Sequence, residues 1–262
     1  MSETTTVLVT GASTGIGAVY AERFAQRGHD LVLVARNEER MQALAERLRH
    51  EHGVTVDILR ADLANAADLA TVEARLRDDT RIGVLINNAG ASLPGGFVDQ
   101  SAEQVSNLIA LNATAVARLA HAVAPRFVRE GRGSIVNIAS VVGFVPEFAM
   151  SVYGATKAFV QFLSQSLHVE LGKQGVYVQA VLPAATRTEI WAHSGKDVNA
   201  MQGVMEVHEL VDAALVGYDR RETITIPPLP DAAQWDAFNA ARQAMLPNLA
   251  QEHAAARYRT VS

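Results

Sequence analysis

The chain contains no cysteine, which excludes disulfide scaffolds, thiol nucleophiles and cysteine-ligated zinc. Its eight histidines show no metal-ligand spacing: His193 and His208 stand apart, and His50 and His52 read as solvated residues at a helix end. No basic block occurs, and 23 Lys and Arg against 28 Asp and Glu leave a net charge of −5, so neither nucleic acid nor an anionic membrane is an expected partner. No apolar run approaches the roughly 20 residues of a membrane span. Met1 to Thr6 is polar and leads straight into a strand, leaving no room for a signal peptide, and cytoplasmic placement is the default expectation. What is present is ordinary for a soluble globular protein: 49% of residues are apolar and 19% charged, in a chain long enough to bury a full core.

Short β-rich runs alternate with helical patterns. Strands are expected over Thr6–Thr10, Asp30–Ala35, Val54–Arg60, Gly83–Asn87, Ser134–Ser140, Val176–Leu182 and Thr223–Ile226. Between the early ones lie helices over Gly15–Arg27, Glu38–His50 and Ala66–Arg77. Strands apolar on both faces, such as Leu31-Val32-Leu33-Val34, suit a sheet covered by helices on both sides. The alternation predicts a doubly wound parallel sheet in a three-layer α/β/α arrangement. A long helix opens at Ser101 in a capping-box pattern with Gln104 and runs to about Glu130, with a kink expected at Pro125. Another runs from Ser151 to Leu171. Its apolar row of Ala155, Phe159, Leu163, Leu167 and Leu171, widened by Ala158 and Phe162, is too broad for the sheet alone to cover. We read one domain over 1–262 with a helical C-terminal extension over 228–262.

Thr10-Gly11-Ala12-Ser13-Thr14-Gly15-Ile16-Gly17 ends the first strand and opens the first helix. Glycines there allow a tight turn and close approach to a pyrophosphate, and the helix N-terminus supplies N–H donors. The strand–turn–helix context makes this a dinucleotide site rather than an ordinary turn. The second strand ends Val34-Ala35-Arg36 without the acid that takes ribose hydroxyls. Arg36 followed by Asn37 reads as a clamp for a 2′-phosphate, favouring NADP(H). The alternative is a solvated Arg36 paired with Glu38 or Glu39. No second Lys or Arg lies in the glycine turn, where Ser13 offers a hydrogen bond instead, and NAD(H) remains open.

Tyr153-Gly154-Ala155-Thr156-Lys157 places a phenol and an ammonium four residues apart, on one face of a helix, with Ser140 upstream. A cation beside the phenol favours phenolate, as a general acid/base exchanging a proton with an alcohol oxygen requires. Lowering a tyrosine from about 10 to about 7 takes roughly 4 kcal/mol. A unit charge about 4 Å away at an effective dielectric of about 20 supplies about that much.

Taken together, these motifs resemble the short-chain dehydrogenase/reductase family, in its single-domain branch, from Thr6 to about Thr188. The resemblance implies a Rossmann-like fold and an NAD(P)-dependent enzyme interconverting a secondary alcohol and a ketone or aldehyde. It implies that Tyr153 is the general acid/base, that Ser140 hydrogen-bonds the reacting oxygen, and that Lys157 holds the nicotinamide ribose and lowers the Tyr153 pKa. Asn112 matches the asparagine whose water relays protons from Lys157. Asp62, with Leu63, matches the adenine contact, and Asn87-Asn88-Ala89-Gly90 the adenosine side. After the sixth strand the family has Pro-Gly, and here Pro183-Ala184-Ala185-Thr186-Arg187-Thr188 departs from it. Ala184 replaces the glycine and Thr186 an aliphatic residue, while Thr188 still fits a carboxamide or phosphate contact.

Residues 184–205 fall where the family carries a substrate lid. Ile190, Trp191, His193 and Met201, with Leu93, Val142, Phe144, Val145 and Phe148, make a mainly apolar pocket for a small-molecule carbonyl or alcohol. Trp191 serving only to anchor the lid is the competing reading, and Trp235 and Phe238 belong to the pocket or to a subunit interface. The broad face of the Ser151–Leu171 helix suggests packing against a symmetry mate, and the family resemblance implies a homodimer or homotetramer. Two rivals are a non-catalytic dinucleotide-binding redox sensor, and a sugar-nucleotide epimerase or dehydratase, which needs a larger C-terminal domain.

Overall fold

The computed structural model describes residues 5–189 and 198–259. Seven parallel strands form one sheet in the order β3-β2-β1-β4-β5-β6-β7. They are β1 (Thr6–Thr10), β2 (Asp30–Ala35), β3 (Val56–Arg60), β4 (Ile82–Asn87), β5 (Ser134–Ile138), β6 (Tyr177–Val181) and β7 (Ile224–Thr225). Helices α1 (Gly15–Gln26), α2 (Glu38–His52), α3 (Ala66–Asp78), α4 (Ala102–Ile109), α5 (Ala115–Glu130), α6 (Ser151–Leu171) and α7 (Val207–Asp219) surround it. This is the expected doubly wound arrangement.

The layers follow from strand alternation. Val7, Val9, Leu31 and Leu33 point to one face, against α1, α2 and α7 through Phe24, Met41, Leu48 and Leu215. Leu8, Val32, Val34 and Leu85 point to the other, against α3 and α5 through Val72, Leu76, Val123 and Phe127. Sequence order reverses between β1 and β4, so a crevice opens at their carboxyl ends, where such sheets take ligands.

Two differences from expectation bear on the site. The long helix expected from Ser101 to Glu130 is interrupted by a π turn over Ala110–Thr114, while Pro125 sits inside α5. Proline removes the partner of the His121 carbonyl, and His121 lies on the exposed side of the helix, where the loss of one backbone bond costs least. The π turn instead buries Asn112, and such turns recur at functional sites. The whole stretch Ala102–Glu130 is also long and apolar enough to cross a membrane by length and composition, contrary to the run-length reading. Half of its most apolar window is buried inside the protein.

The chain divides into two compact units, the second beginning at Leu229. That second unit holds helix α8 (Ala232–Ala244), capped by Asp231, whose side chain accepts from Ala233 N at 2.9 Å. On α8 the Trp235 and Phe238 rings lie 5.3 Å apart.

A buried polar chain ties the sheet to α6. Asn87 Nδ2 donates to Asn137 Oδ1 (2.9 Å), Asn137 Nδ2 to Ser164 Oγ (2.9 Å), and Ser164 Oγ to the Val160 carbonyl (2.7 Å). Asn137 is fully buried. Asn137→Ala should therefore cost about 1–3 kcal/mol, the penalty for stranding a buried amide. A urea midpoint lowered with an unchanged m-value checks it.

Candidate active site

At the end of β1 a single hydroxyl organises the crevice. Thr10 Oγ1 donates to the Ile86 carbonyl (3.2 Å) and accepts from the N–H groups of Asn88 (2.9 Å) and Ala89 (3.0 Å). In return, Asn88 Nδ2 donates to the carbonyls of Thr10 (2.9 Å) and Gly11 (3.3 Å). The glycine turn and the Asn88-Ala89-Gly90 segment are thereby stitched together. Gly11 has φ +66°, and a Cβ there would lie 2.7 Å from Asn88 Nδ2. A Cβ on Gly17 would fall on the Gly11 carbonyl. Both positions exclude any side chain.

Beyond the turn, α1 begins with Thr14 extended, no side-chain cap and no acid in its first turn. Its leading N–H donors are left for an anion. Ser13, Thr14, Gly15 and Ile16 are partly exposed around it, and the Thr188 methyl borders Gly15. The bare helix start and the side-chain-free cradle together fit a dinucleotide pyrophosphate.

At the end of β2, Arg36 is exposed and makes neither hydrogen bond nor ion pair among the described residues, so the pairing with Glu38 or Glu39 does not occur. Asn37 caps α2, accepting from Arg40 N at 3.0 Å. Arg40 itself pairs with Glu189 at 2.7 Å. Past β3, Leu63 is buried, and Asp62 Oδ1 accepts from Ala64 N at 3.0 Å.

The proton-transfer candidates converge at the end of β5 and the start of α6. Ser140 is buried, its hydroxyl donating to the Pro183 carbonyl at 3.1 Å. The Tyr153 phenol lies beside the Ser140 hydroxyl. Lys157 is 5% exposed, and its Nζ donates to the Ile138 carbonyl at 2.8 Å while lying 5.7 Å from the centre of the Tyr153 ring. Burial pushes the Tyr153 phenol up to about 12, against a smaller downward pull from Ser140. Burial also draws the Lys157 ammonium down to about 8. Desolvation acts on both groups, disfavouring phenolate and ammonium together.

Asn112 is held through both ends of its side-chain amide. Its Oδ1 accepts from Ala91 N (3.0 Å), and its Nδ2 donates to the Ala91 carbonyl (2.9 Å) and to Thr156 Oγ1 (3.2 Å). Both amide hydrogens are used inside the protein. A relay water held by an amide hydrogen has no donor here, and the remaining sites are Asn112's backbone in the π turn and the second lone pair of Oδ1. Thr156, which the sequence reading passed over, accepts that bond and donates to the Tyr153 carbonyl at 2.7 Å. Thr10 was passed over too, although it directly precedes the first glycine of the turn.

On the substrate side Leu93, Val142 and Phe144 are partly buried, and Phe148 is 58% exposed. Gly143 packs on the backbone of Lys157, and Gly154 faces the Val142 carbonyl, which leaves the 141–148 segment no room to move inward. Pro183 is buried, and Thr186 Oγ1 donates to the Ala184 carbonyl at 3.1 Å. Thr186 pairs with Met205 as a short parallel bridge, and Arg187 pairs with Glu206 at 2.7 Å, closing the base of the 184–205 segment. Ile190, Trp191 and His193 lie outside the described residues.

Comparison with known proteins places this arrangement. The sequence model for short chain dehydrogenase matches residues 5–199. The chain is similar to a short-chain dehydrogenase from Sphingobium yanoikuyae solved in complex with NADPH. The two are 67% identical with a TM-score of 0.96, covering 97% of this chain and 100% of that one. It is also similar to a bulky-bulky ketone specific alcohol dehydrogenase from Comamonas testosteroni, 58% identical with a TM-score of 0.92, covering 98% and 99% respectively. A very-long-chain 3-oxoacyl-CoA reductase of Bos taurus is 35% identical over 187 residues, 70% of this chain. The chain spans about three fifths, 60%, of that relative's length. The chain belongs to the short-chain dehydrogenase/reductase family of NAD(P)-binding oxidoreductases.

Proposed function

We propose that the protein is an NADP(H)-preferring carbonyl reductase and secondary-alcohol dehydrogenase with Tyr153 as its general acid/base. The observation that carries this reading is the meeting of Ser140, Tyr153 and Lys157 beside a glycine cradle with a bare helix N-terminus. When bound, the dinucleotide supplies or takes the hydride and, oxidised, adds a positive charge near the phenol. In reduction, the Tyr153 phenol, protonated at neutral pH, gives its proton to the carbonyl oxygen. The Ser140 hydroxyl turns from the Pro183 carbonyl to that oxygen and steadies its developing charge. Lys157 then returns a proton toward Tyr153. With a pKa near 8 it exchanges protons readily at neutral to mildly alkaline pH. In oxidation the same groups run in reverse.

The substrate we propose is a ketone carrying two large apolar substituents, or the matching alcohol. The similarity to the Comamonas enzyme supports it, as do the apolar Leu93, Val142, Phe144 and Phe148. Arg36, which has no partner among the described residues, supports preference for the 2′-phosphate, as does the NADPH complex of the Sphingobium relative. We assign the uncovered face of α6 to a second copy of the chain. Phe159 is 44% and Phe162 72% exposed there, lining a groove with Ala155 and Leu163.

Tyr153→Phe should lower turnover by about 10²–10⁴-fold while NADPH affinity stays within a few-fold; retained turnover would overturn the acid/base assignment. The pH behaviour follows from the raised phenol. Without cofactor, Tyr153 binds its proton up to about 12, so the wild type minus Tyr153→Phe difference spectrum should show no phenolate below pH 10. Adding NADP⁺ should bring that signal to lower pH.

Arg36→Asp should weaken NADPH about 10- to 100-fold, replacing a phosphate contact by repulsion, and leave NADH within a few-fold. Equal affinity of the wild type for the two dinucleotides would remove the phosphate-clamp reading. Phe162→Glu should shift sedimentation from a dimer or tetramer to a monomer at micromolar concentration, and a monomeric wild type would refute the assignment of α6.

A further inference from the structure

We propose that Arg40 is a second arginine for the 2′-phosphate of the dinucleotide, held ready by Glu189 and handed from carboxylate to phosphate on binding. The inference rests on the NADP(H) reading above and extends it to residues that no motif marks.

The placement comes from three contacts. The glycine turn lies alongside the last residues of β2, with Ala12 N donating to the Val34 carbonyl at 3.3 Å. Asn37 fixes the first turn of α2 through Arg40 N at 3.0 Å, so Arg40 rises from the same corner as Arg36. Its guanidinium donates to Glu189 Oε2 at 2.7 Å. Glu189 follows Thr188, whose methyl borders Gly15 at the start of α1. The Arg40 head group therefore spans the gap between the end of β2 and the glycine turn. In this fold the ribose next to the adenine crosses that gap, its hydroxyls at the second strand's end and the pyrophosphate at the turn.

The chemistry favours exchange. Both partners of the pair are about half exposed, with side-chain exposures of 48% and 59%. Such a surface pair contributes little and weakens with salt. A phosphate monoester offers a near-double negative charge and three acceptor oxygens, which the guanidinium fork meets bidentately. Glu189 keeps Arg40 extended across the gap in the free protein. Its carboxylate then opposes the arriving phosphate, which sets a ceiling on NADP(H) affinity. NAD(H), having no 2′-phosphate, leaves the pair as it is. Arg40 is thus a specificity-determining residue and Glu189 its competitor.

The test is titration of NADPH and NADH by nicotinamide fluorescence against full-length wild type, Arg40→Gln and Glu189→Gln, with thermal melts showing that all three are folded. Arg40→Gln should weaken NADPH about tenfold and NADH less than about twofold, as loss of a charge-assisted phosphate contact requires. Glu189→Gln should tighten NADPH about threefold and leave NADH unchanged, with the gain shrinking at high salt. Equal weakening of both dinucleotides by both substitutions would mean that the pair is only a strap, and would overturn the proposal. A NADPH to NADH affinity ratio unmoved by Arg40→Gln, or NADPH affinity unmoved by Glu189→Gln, would overturn it as well. A wild type without preference removes this proposal together with the Arg36 clamp. A preference that Arg40→Gln leaves undiminished removes this proposal alone and leaves the clamp standing. Should Arg40→Gln fail to fold, Arg40→Lys keeps the charge without the fork and should lose part of the preference.

Discussion

The site depends on one buried cation. Lys157 is held at the end of β5 by a hydrogen bond to the Ile138 carbonyl, in surroundings dry enough to bring its pKa down to about 8. An ammonium in such a place gives up its proton readily, which is unusual for lysine and is what a proton conduit needs. The same dryness keeps Tyr153 protonated. The free protein therefore holds the phenol in its protonated form.

Much of the neighbouring structure serves that placement. The 141–143 turn packs on the backbone of Lys157 through Gly143, and Thr156 links Asn112 to the carbonyl of Tyr153. The buried Asn87–Asn137–Ser164 chain fixes α6 against β4 and β5. Around the cofactor crevice a second set of constraints operates. Thr10 and Asn88 stitch two strand ends together, and Gly11 and Gly17 keep the intervening space free of side chains.

Most of the fold was legible because its signals are local. Apolar strands alternating with capped helices name a doubly wound sheet, and α6 falls on the residues that its apolar row marked out. What was not legible is the π turn at Asn112, where no breaker residue stands, whereas Pro125 sits inside α5, within the helix expected to run through it.

By itself the sequence determined the strand segments, the glycine turn, and the identity of the phenol, ammonium and hydroxyl that meet, since each is carried by a pattern within one strand, one turn or one strand end. It also marked Arg36 at the end of β2. Only the tertiary structure decided how these groups are charged and what they already hold. Burial raises the phenol as well as lowering the ammonium, Asn112 spends its amide hydrogens inside the protein, and Arg40 meets Glu189 across 149 positions of chain. Desolvation and long-range pairing depend on everything packed around a group, and no local pattern encodes that.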